Sequence, residues 1–167
     1  MQAANEYAAA HGLTGFAASS PNFSLARQFQ PPWPECISIS GPEGEDARRW
    51  YQQAGMALFT WSSLAGGFFS GRFGRDNLDT FDDYLDKLCV TSYCYEENFA
   101  RLDRVRQLGE EKGLTIPQVA MAYVMSQPLN IFALTGTQHA SEFAANLDAS
   151  EIKLTQAEID WLELKDK

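Results

Sequence analysis

Cysteine and histidine are scarce in this sequence, which has 3 cysteines and 2 histidines among 167 residues. Cys36, Cys89 and Cys94 form no Cys-x-x-Cys pair and are odd in number. They therefore predict free thiols in a reducing compartment rather than a disulfide framework. His11 and His139 are far apart, and neither has metal-ligand spacing from a cysteine. We expect neither disulfide bonds nor a bound metal ion.

Positive charge is also in short supply. The chain has 13 Lys and Arg residues against 22 Asp and Glu residues, which leaves a net charge of -9. This balance argues against nucleic acid and acidic membrane surfaces as general partners. An anionic cofactor would have to be held by local cations and by backbone N–H groups.

Long apolar runs are missing as well. None approaches the roughly 20 residues that span a bilayer, and Met1 leads into a polar, alanine-rich segment rather than a signal peptide. These features predict a soluble, cytoplasmic protein. The apolar share of 45% and the aromatic share of 13% are nevertheless ample for a packed core. The length fits one domain or a fragment of a larger protein.

The most informative stretch is residues 56–72, with the sequence MALFTWSSLAGGFFSGR. Residues 56–61 form a short apolar run of large side chains, which predicts a strand buried on both faces. Small residues and then Arg72 follow this run, and such a loop after a buried strand is where α/β proteins bind phosphorylated cofactors. An ordinary glycine-rich turn is the alternative, because no phosphate-loop or dinucleotide-fold glycine pattern matches.

Hydrophobic periodicity and turn residues predict helices and strands in alternation. The predicted strands are 15–20, 56–61 and 131–135. The predicted helices are 2–11, 44–54, 95–112, one from Thr115 to before Pro128, a short one up to about residue 147, and a last one that begins with a capping box at 155–158. This order predicts parallel strands joined by right-handed crossovers, with helices on one side. The edges of such a small sheet would be unpaired unless other strands cover them.

Two segments are predicted to lack regular structure. Residues 31–41 include three prolines in four positions, which indicates a surface loop. Residues 73–93 carry five aspartates without a clean period, which predicts a solvated acidic loop. Calcium binding is disfavoured there, because the glycine and the terminal glutamate of a calcium loop are missing.

The chain resembles the C-terminal half of an aldo-keto reductase. The most specific matches are TWSSLAGG at 60–67 and ALTGTQ at 133–138 with the segment that follows to Asn146, and EKGLT with PQVA at 111–120 is a third. The resemblance implies an α/β fold, a partial (β/α)8 TIM barrel whose strands correspond to the sixth, seventh and eighth. Residues 1–167 would form a single half-barrel, beginning in the helix that follows the fifth strand.

The resemblance also implies an NADP site, with NAD as an alternative cofactor. In the family, the aromatic ring at the place of Trp61 stacks on the nicotinamide, and the loop at 62–67 wraps the pyrophosphate. A basic residue at the place of Arg72 meets a phosphate, residues 136–138 hold the adenosine 2'-phosphate, and Asn146 hydrogen-bonds the adenine. The implied cofactor-binding residues are Trp61, Ser62, Leu64, Gly66, Arg72, Gly136, Thr137, Gln138 and Asn146.

Departures from the family pattern qualify this expectation. Gln138 stands where Arg or Lys often grips the 2'-phosphate, so the preference for NADPH over NADH stays open. Ser20 replaces a glutamine that binds the nicotinamide carboxamide, and Ala145 replaces a side chain that helps hold the adenine. The family's catalytic Asp, Tyr, Lys and His lie on the first four strands, which have no counterpart in this sequence.

These observations favour one function and leave another open. The first is the cofactor-binding part of an NAD(P)H-dependent reductase of small carbonyl compounds, with no catalytic residue of its own and inactive alone. It would work as a homo-oligomer or with a complementary N-terminal half. The alternatives are a non-catalytic half-barrel that binds a partner or senses nucleotides, and a gene fragment without an independent role.

Overall fold

The computed structural model describes residues 1–137 and 139–165. Short 3-10 helices lie at Pro42–Gly44, Ala65–Ser70 and Leu78–Thr80. The other elements, in chain order, are α1 (Gln2–Ala10), β1 (Ala18–Ser19), α2 (Glu45–Ala54), β2 (Ala57–Thr60), α3 (Tyr84–Tyr93), α4 (Glu96–Lys112), α5 (Ile116–Met125), β3 (Ile131–Ala133), α6 (Ala140–Glu151) and α7 (Gln156–Leu162).

The three strands form one parallel sheet in the order β1, β2, β3. Leu58 of β2 is in register with Ile131, and Thr60 is in register with Ala133. The predicted parallel sheet is confirmed, although each strand is shorter than its apolar run. Because the strands are parallel, their carboxyl ends meet at one edge, and the loops that follow β2 and β3 lie side by side.

The sheet buries one face and exposes the other. Leu58 and Thr60 are fully buried, and Leu58 joins a core that includes Leu102 of α4 and Val119 of α5. The side chain of Phe59 points the other way and is 41% exposed. The expectation that β2 is buried on both faces is therefore wrong for this chain, because helices cover only the face that carries Leu58 and Thr60.

Residues 73–93 contain a helix that the sequence reading missed. The Asp83 carboxylate accepts a hydrogen bond from the Leu85 N–H at 2.9 Å and so caps α3. Cys89, Ser92 and Tyr93 are buried on its inner side. The prediction of an acidic loop was wrong in its second half, because one of the aspartates that suggested solvation serves as the cap.

Most of the other helices begin and end near their predicted limits, but α6 continues to Glu151 instead of ending at about residue 147, because its backbone becomes extended only at Ile152. Gly113 ends α4 with a left-handed φ of 69°, which favours glycine. A capping box of Thr115 and Gln118 starts α5, and one of Thr155 and Glu158 starts α7. Among the described residues, no helix is both long and apolar enough to cross a membrane.

Candidate functional site

The loop after β2 has an unusual backbone. Ser62, Ala65, Gly66 and Gly67 adopt left-handed φ values of 56°, 53°, 63° and 98°. Two hydrogen bonds stabilise this path, from the Ala65 N–H to the Ser62 carbonyl at 2.7 Å and from the Gly67 N–H to the Leu64 carbonyl at 3.1 Å. Glycine tolerates this conformation, whereas a serine and an alanine are strained in it. Such strain occurs preferentially at ligand sites.

Buried side chains anchor this loop to the helical layer. Ala65, Phe68 and Phe69 are fully buried, and the Phe68 ring meets the Phe99 ring of α4 edge-on at 5.3 Å. The Cys89 thiol of α3 donates a hydrogen bond to the Ala65 carbonyl. The loop is thus fixed in place before any ligand arrives.

The segment after β3 forms the opposite wall of the site. The Leu134 N–H donates to the Thr60 carbonyl at 2.8 Å, which joins the ends of β2 and β3. Residues 134–136 then run past the small-residue loop, and α6 brings Asn146 to the same place. Met121 of α5 closes the base with an apolar side chain.

These elements enclose a cavity of about 330 Å³, which we call the edge cavity. A smaller cavity of about 160 Å³ shares Met121, Thr135 and Asn146 with it and extends along α6 to Phe143 and Leu147, so the space is elongated. The residues that line the edge cavity are Ser62, Ser63, Leu64, Gly66, Gly67, Met121, Leu134, Thr135, Gly136 and Asn146.

The edge cavity brings together five of the nine residues that the family resemblance implies: Ser62, Leu64, Gly66, Gly136 and Asn146. Trp61 directly precedes its first lining residue, while Thr137 is not in the lining. Gln138 lies outside the described residues. Sequence reasoning did not assign Met121, Leu134 or Thr135, and only the crossing of α5 and β3 at this edge identifies them.

Trp61 has a partner that the sequence does not reveal. Its ring stacks on the Trp33 ring with a centroid distance of 5.1 Å and an interplanar angle of 20°. Its indole N–H donates to the Ser20 carbonyl at 3.2 Å. The ring is therefore held by one edge and covered on one face.

Arg72 lies outside the lining of the edge cavity. Its guanidinium forms a bidentate pair with Asp86 of α3, and this hydrogen bonding raises the pKa of Arg72. It also lies over the Phe73 and Phe81 rings, with its central carbon 5.3 and 5.7 Å from their centroids. The predicted contact between Arg72 and a phosphate would require the side chain to leave this pair.

The chemistry of the edge cavity is that of binding rather than proton transfer. Among the described residues, its lining offers hydroxyls, one amide and backbone groups, but no side chain that is charged or titrates near neutral pH. The nearby Tyr93 is buried beneath Gly66, and burial raises its pKa to about 12. Its hydroxyl accepts hydrogen bonds from the Asn22 and Gln28 amides, and it is not part of the lining.

Comparisons with known proteins agree with this architecture. A model of the aldo/keto reductase family matches residues 4–167. A protein of Saccharomyces cerevisiae named as a probable aryl-alcohol dehydrogenase is 27% identical over 165 residues, which are 98% of this chain and 46% of the relative. This chain therefore spans about half the length of the curated relatives it matches.

Two solved structures share the fold. A thermostable aldo-keto reductase, crystallised with the inhibitor epalrestat, superposes with a TM-score of 0.57 and 16% identity over 96% of this chain and 44% of its own. An aldo-keto reductase from Klebsiella pneumoniae, crystallised with NADPH, gives a TM-score of 0.55 and 19% identity over 89% of this chain and 39% of its own.

Proposed function

This chain belongs to the aldo/keto reductase family, and we propose that it is the cofactor-binding part of an NADPH-dependent reductase of carbonyl compounds. In this proposal residues 1–167 form one half-barrel and supply strands six to eight of a (β/α)8 barrel. The Klebsiella structural neighbour was crystallised with NADPH. The observation that carries the proposal is the edge cavity, because residues from four separate segments, including the small-residue loop and Asn146, converge on it.

The residues present fit a nicotinamide dinucleotide. The cavity is elongated, and small residues at 62–67 allow phosphate oxygens to approach backbone N–H groups. The flat Trp61 ring beside it would orient a nicotinamide, and the Asn146 amide would recognise an adenine edge. When bound, the cofactor supplies a hydride. The protein's task is to hold and orient it.

Carbonyl reduction requires a general acid, and among the described residues the lining of the edge cavity has no side chain that titrates near neutral pH. We propose that the donor belongs to protein outside this chain and that the chain alone is inactive. The curated relatives are about twice as long as the region matched here, which leaves room for such a donor in a complete enzyme.

The open face of the sheet supports a structural partner. Phe59 and Phe132 stack with ring centroids 5.3 Å apart, and Phe59, Phe132 and Leu134 are 41%, 51% and 50% exposed. Each Å² of apolar surface left in water forgoes about 25 cal/mol of stabilisation. We propose that a complementary N-terminal half, or a second copy of this chain, covers this face.

Cofactor titration tests the central claim. We expect NADPH to quench tryptophan fluorescence and to show energy transfer into the nicotinamide, because Trp61 would contact it. Trp61→Phe should weaken this signal more than Trp161→Phe, because Trp161 lies on α7 and away from the cavity. Absence of binding at millimolar NADPH or NADH would refute the cofactor site and favour a non-catalytic interaction protein.

Turnover by the chain alone tests the missing proton donor. We expect no NADPH oxidation with aromatic or aliphatic aldehydes, even at cofactor concentrations that saturate the fluorescence signal. Steady carbonyl reduction by the purified chain would contradict the assignment of the donor to other protein.

A further inference from the structure

Burial in the hydrophobic core does not explain why Trp33 stacks on Trp61. The Trp33 side chain is 51% exposed, and the residue lies in the proline-rich loop between β1 and α2. Its ring nevertheless lies nearly parallel to the Trp61 ring at a centroid distance of 5.1 Å. This separation is that of direct contact, so no ligand fits between the two rings.

The loop that carries Trp33 is built to hold its position. Prolines on both sides of Trp33 restrict the backbone, and the Cys36 N–H closes a turn onto the Trp33 carbonyl at 3.3 Å. Beyond the turn, the Asn22 N–H donates to the Ile37 carbonyl at 2.9 Å. The Ile39 N–H donates to the Asn22 carbonyl at 2.9 Å.

These bonds tie the loop to the strand ends. Asn22 forms bridges both with Ser38 of the loop and with Trp61, and the Phe23 N–H donates to the Trp61 carbonyl at 3.2 Å. Trp33 is therefore attached, through a short hydrogen-bonded path, to the backbone that carries the ring on which it stacks. Because the loop already restrains Trp33, little side-chain entropy would be lost when a ligand binds next to it. An exposed but restrained tryptophan is therefore suited to positioning a neighbouring side chain.

We propose that Trp33 is a positioning residue: it stacks on one face of the Trp61 ring and leaves the opposite face for the nicotinamide of NADP(H). The indole hydrogen bond to Ser20 fixes one edge of the Trp61 ring, and Trp33 fixes its tilt. This inference rests on the proposed cofactor site. It adds that the aromatic support acts on the nicotinamide end of the cofactor and not on the adenosine end.

The test compares the two ends of the cofactor. Binding of NADP+ and of adenosine 2',5'-bisphosphate, which lacks the nicotinamide, is measured by calorimetry on the full chain and on Trp33→Ala, Trp33→Phe and Trp50→Ala. We expect Trp33→Ala to weaken NADP+ binding about fivefold, the size of one aromatic stack. Trp33→Phe should restore most of the affinity, and adenosine 2',5'-bisphosphate should bind all variants alike.

The Trp50→Ala variant is the matched control, because Trp50 on α2 packs edge-on against Tyr51 and does not touch Trp61. Near-ultraviolet circular dichroism provides a readout without cofactor: the coupled signal of two stacked indoles should disappear in Trp33→Ala and persist in Trp50→Ala. A melting curve with the wild-type midpoint shows that each variant is folded. If Trp33→Ala is unfolded, Trp33→Phe and Trp33→Leu replace it, with loss of affinity expected for leucine only.

Three results would overturn the inference. Unchanged or tighter NADP+ binding by Trp33→Ala would show that Trp33 is dispensable or competes for the nicotinamide face. An equal loss for NADP+ and adenosine 2',5'-bisphosphate would show a general structural effect. Failure of the wild-type chain to bind either compound would remove the cofactor site itself, which is distinguishable because it does not depend on the variants.

Discussion

The Arg72 guanidinium donates two hydrogen bonds to the Asp86 carboxylate, Nη2 to Oδ1 at 2.7 Å and Nη1 to Oδ2 at 3.2 Å. Asp86 thus occupies the two guanidinium N–H donors with which an arginine would form a bidentate hydrogen bond to a phosphate. We expect Asp86→Asn to release Arg72 and to tighten NADP+ binding about threefold, because an unpaired cation beside the small-residue loop attracts the anionic cofactor. Calorimetry at low salt measures the change.

Two controls isolate the role of Arg72 in this prediction. The double variant Arg72→Gln/Asp86→Asn should show no gain in affinity. Asp46→Asn removes the same charge from another exposed arginine pair, Arg49 with Asp46 at 2.8 Å, and should leave NADP+ binding unchanged. An equal gain in the Asp46 variant would mean that net charge alone is responsible.

The left-handed backbone at Gly66 gives a second prediction. With φ at 63°, Gly66→Ala should lower the free energy of unfolding by about 1–2 kcal/mol. Its new methyl group would face the buried Tyr93 ring, 3.5 Å from Cε2, and relief of the backbone strain would shift the loop that lines the edge cavity. We expect weaker NADP+ binding together with lower stability, measured by calorimetry and urea unfolding.

Gly12→Ala is a matched control for this backbone effect. Gly12 has a φ of 65° at the end of α1, and an added methyl group would meet no atom within 4 Å. It should cost similar stability without any change in cofactor binding. Equal binding losses in both variants would show that reduced stability, rather than the shape of the loop, governs affinity.

Asn146 gives a third prediction, at the adenosine end. Its side chain lines both the edge cavity and the smaller cavity beside it. Asn146→Ala should weaken the binding of NADP+ and of adenosine 2',5'-bisphosphate about tenfold, the effect of losing one buried hydrogen bond. Asn130→Ala, at the opposite end of β3, loses only an exposed bond to the Gly55 carbonyl and should bind normally. Normal binding by the Asn146 variant would remove adenine recognition from this residue.

The capping box of α7 gives a fourth prediction, on pH. The Lys112 ammonium group, 2.6 Å from the Glu158 carboxylate, lowers the pKa of Glu158, and the Thr155 N–H adds to the effect. Because this pKa is lower in the folded state, the stabilisation is complete above the unfolded value of about 4.3 and is lost as the pH falls through the folded value. Glu158→Gln should cost about 1 kcal/mol at pH 7 and nothing near pH 2.

Urea unfolding across this pH range measures the difference between wild type and Glu158→Gln. The control is Glu151→Gln at the exposed end of α6, which should unfold like wild type throughout. A difference that stays constant down to pH 2 would exclude the charge of Glu158 as its source.

The sequence predicted those parts of the fold that depend on neighbouring residues. Caps at Thr115 and Thr155 and the glycine at 113 act over one helical turn, so the end of α4 and the starts of α5 and α7 could be predicted. The same local logic failed for α3. Its cap, Asp83, could not be distinguished from the aspartates around it without knowing which side of the segment is buried.

The residues of the candidate site were likewise only partly predictable from the sequence. The family motifs in the sequence identified Ser62, Leu64, Gly66, Gly136 and Asn146, and the fold brings all five to the edge cavity. Met121 carries no distinctive signal, because any apolar residue on α5 at this position would look the same in sequence. Leu134 belongs to the family motif at 133–138, but the motif alone did not show that its side chain lines the cavity.

By itself, the sequence determined the family, the helix ends and the small-residue loop, since each is encoded by residues close together in the chain. Tertiary structure alone decided that Arg72 pairs with Asp86 and that Trp33 covers a face of Trp61. Those outcomes depend on contacts between distant segments. Such contacts form only when packing brings the segments together, and no local pattern specifies them.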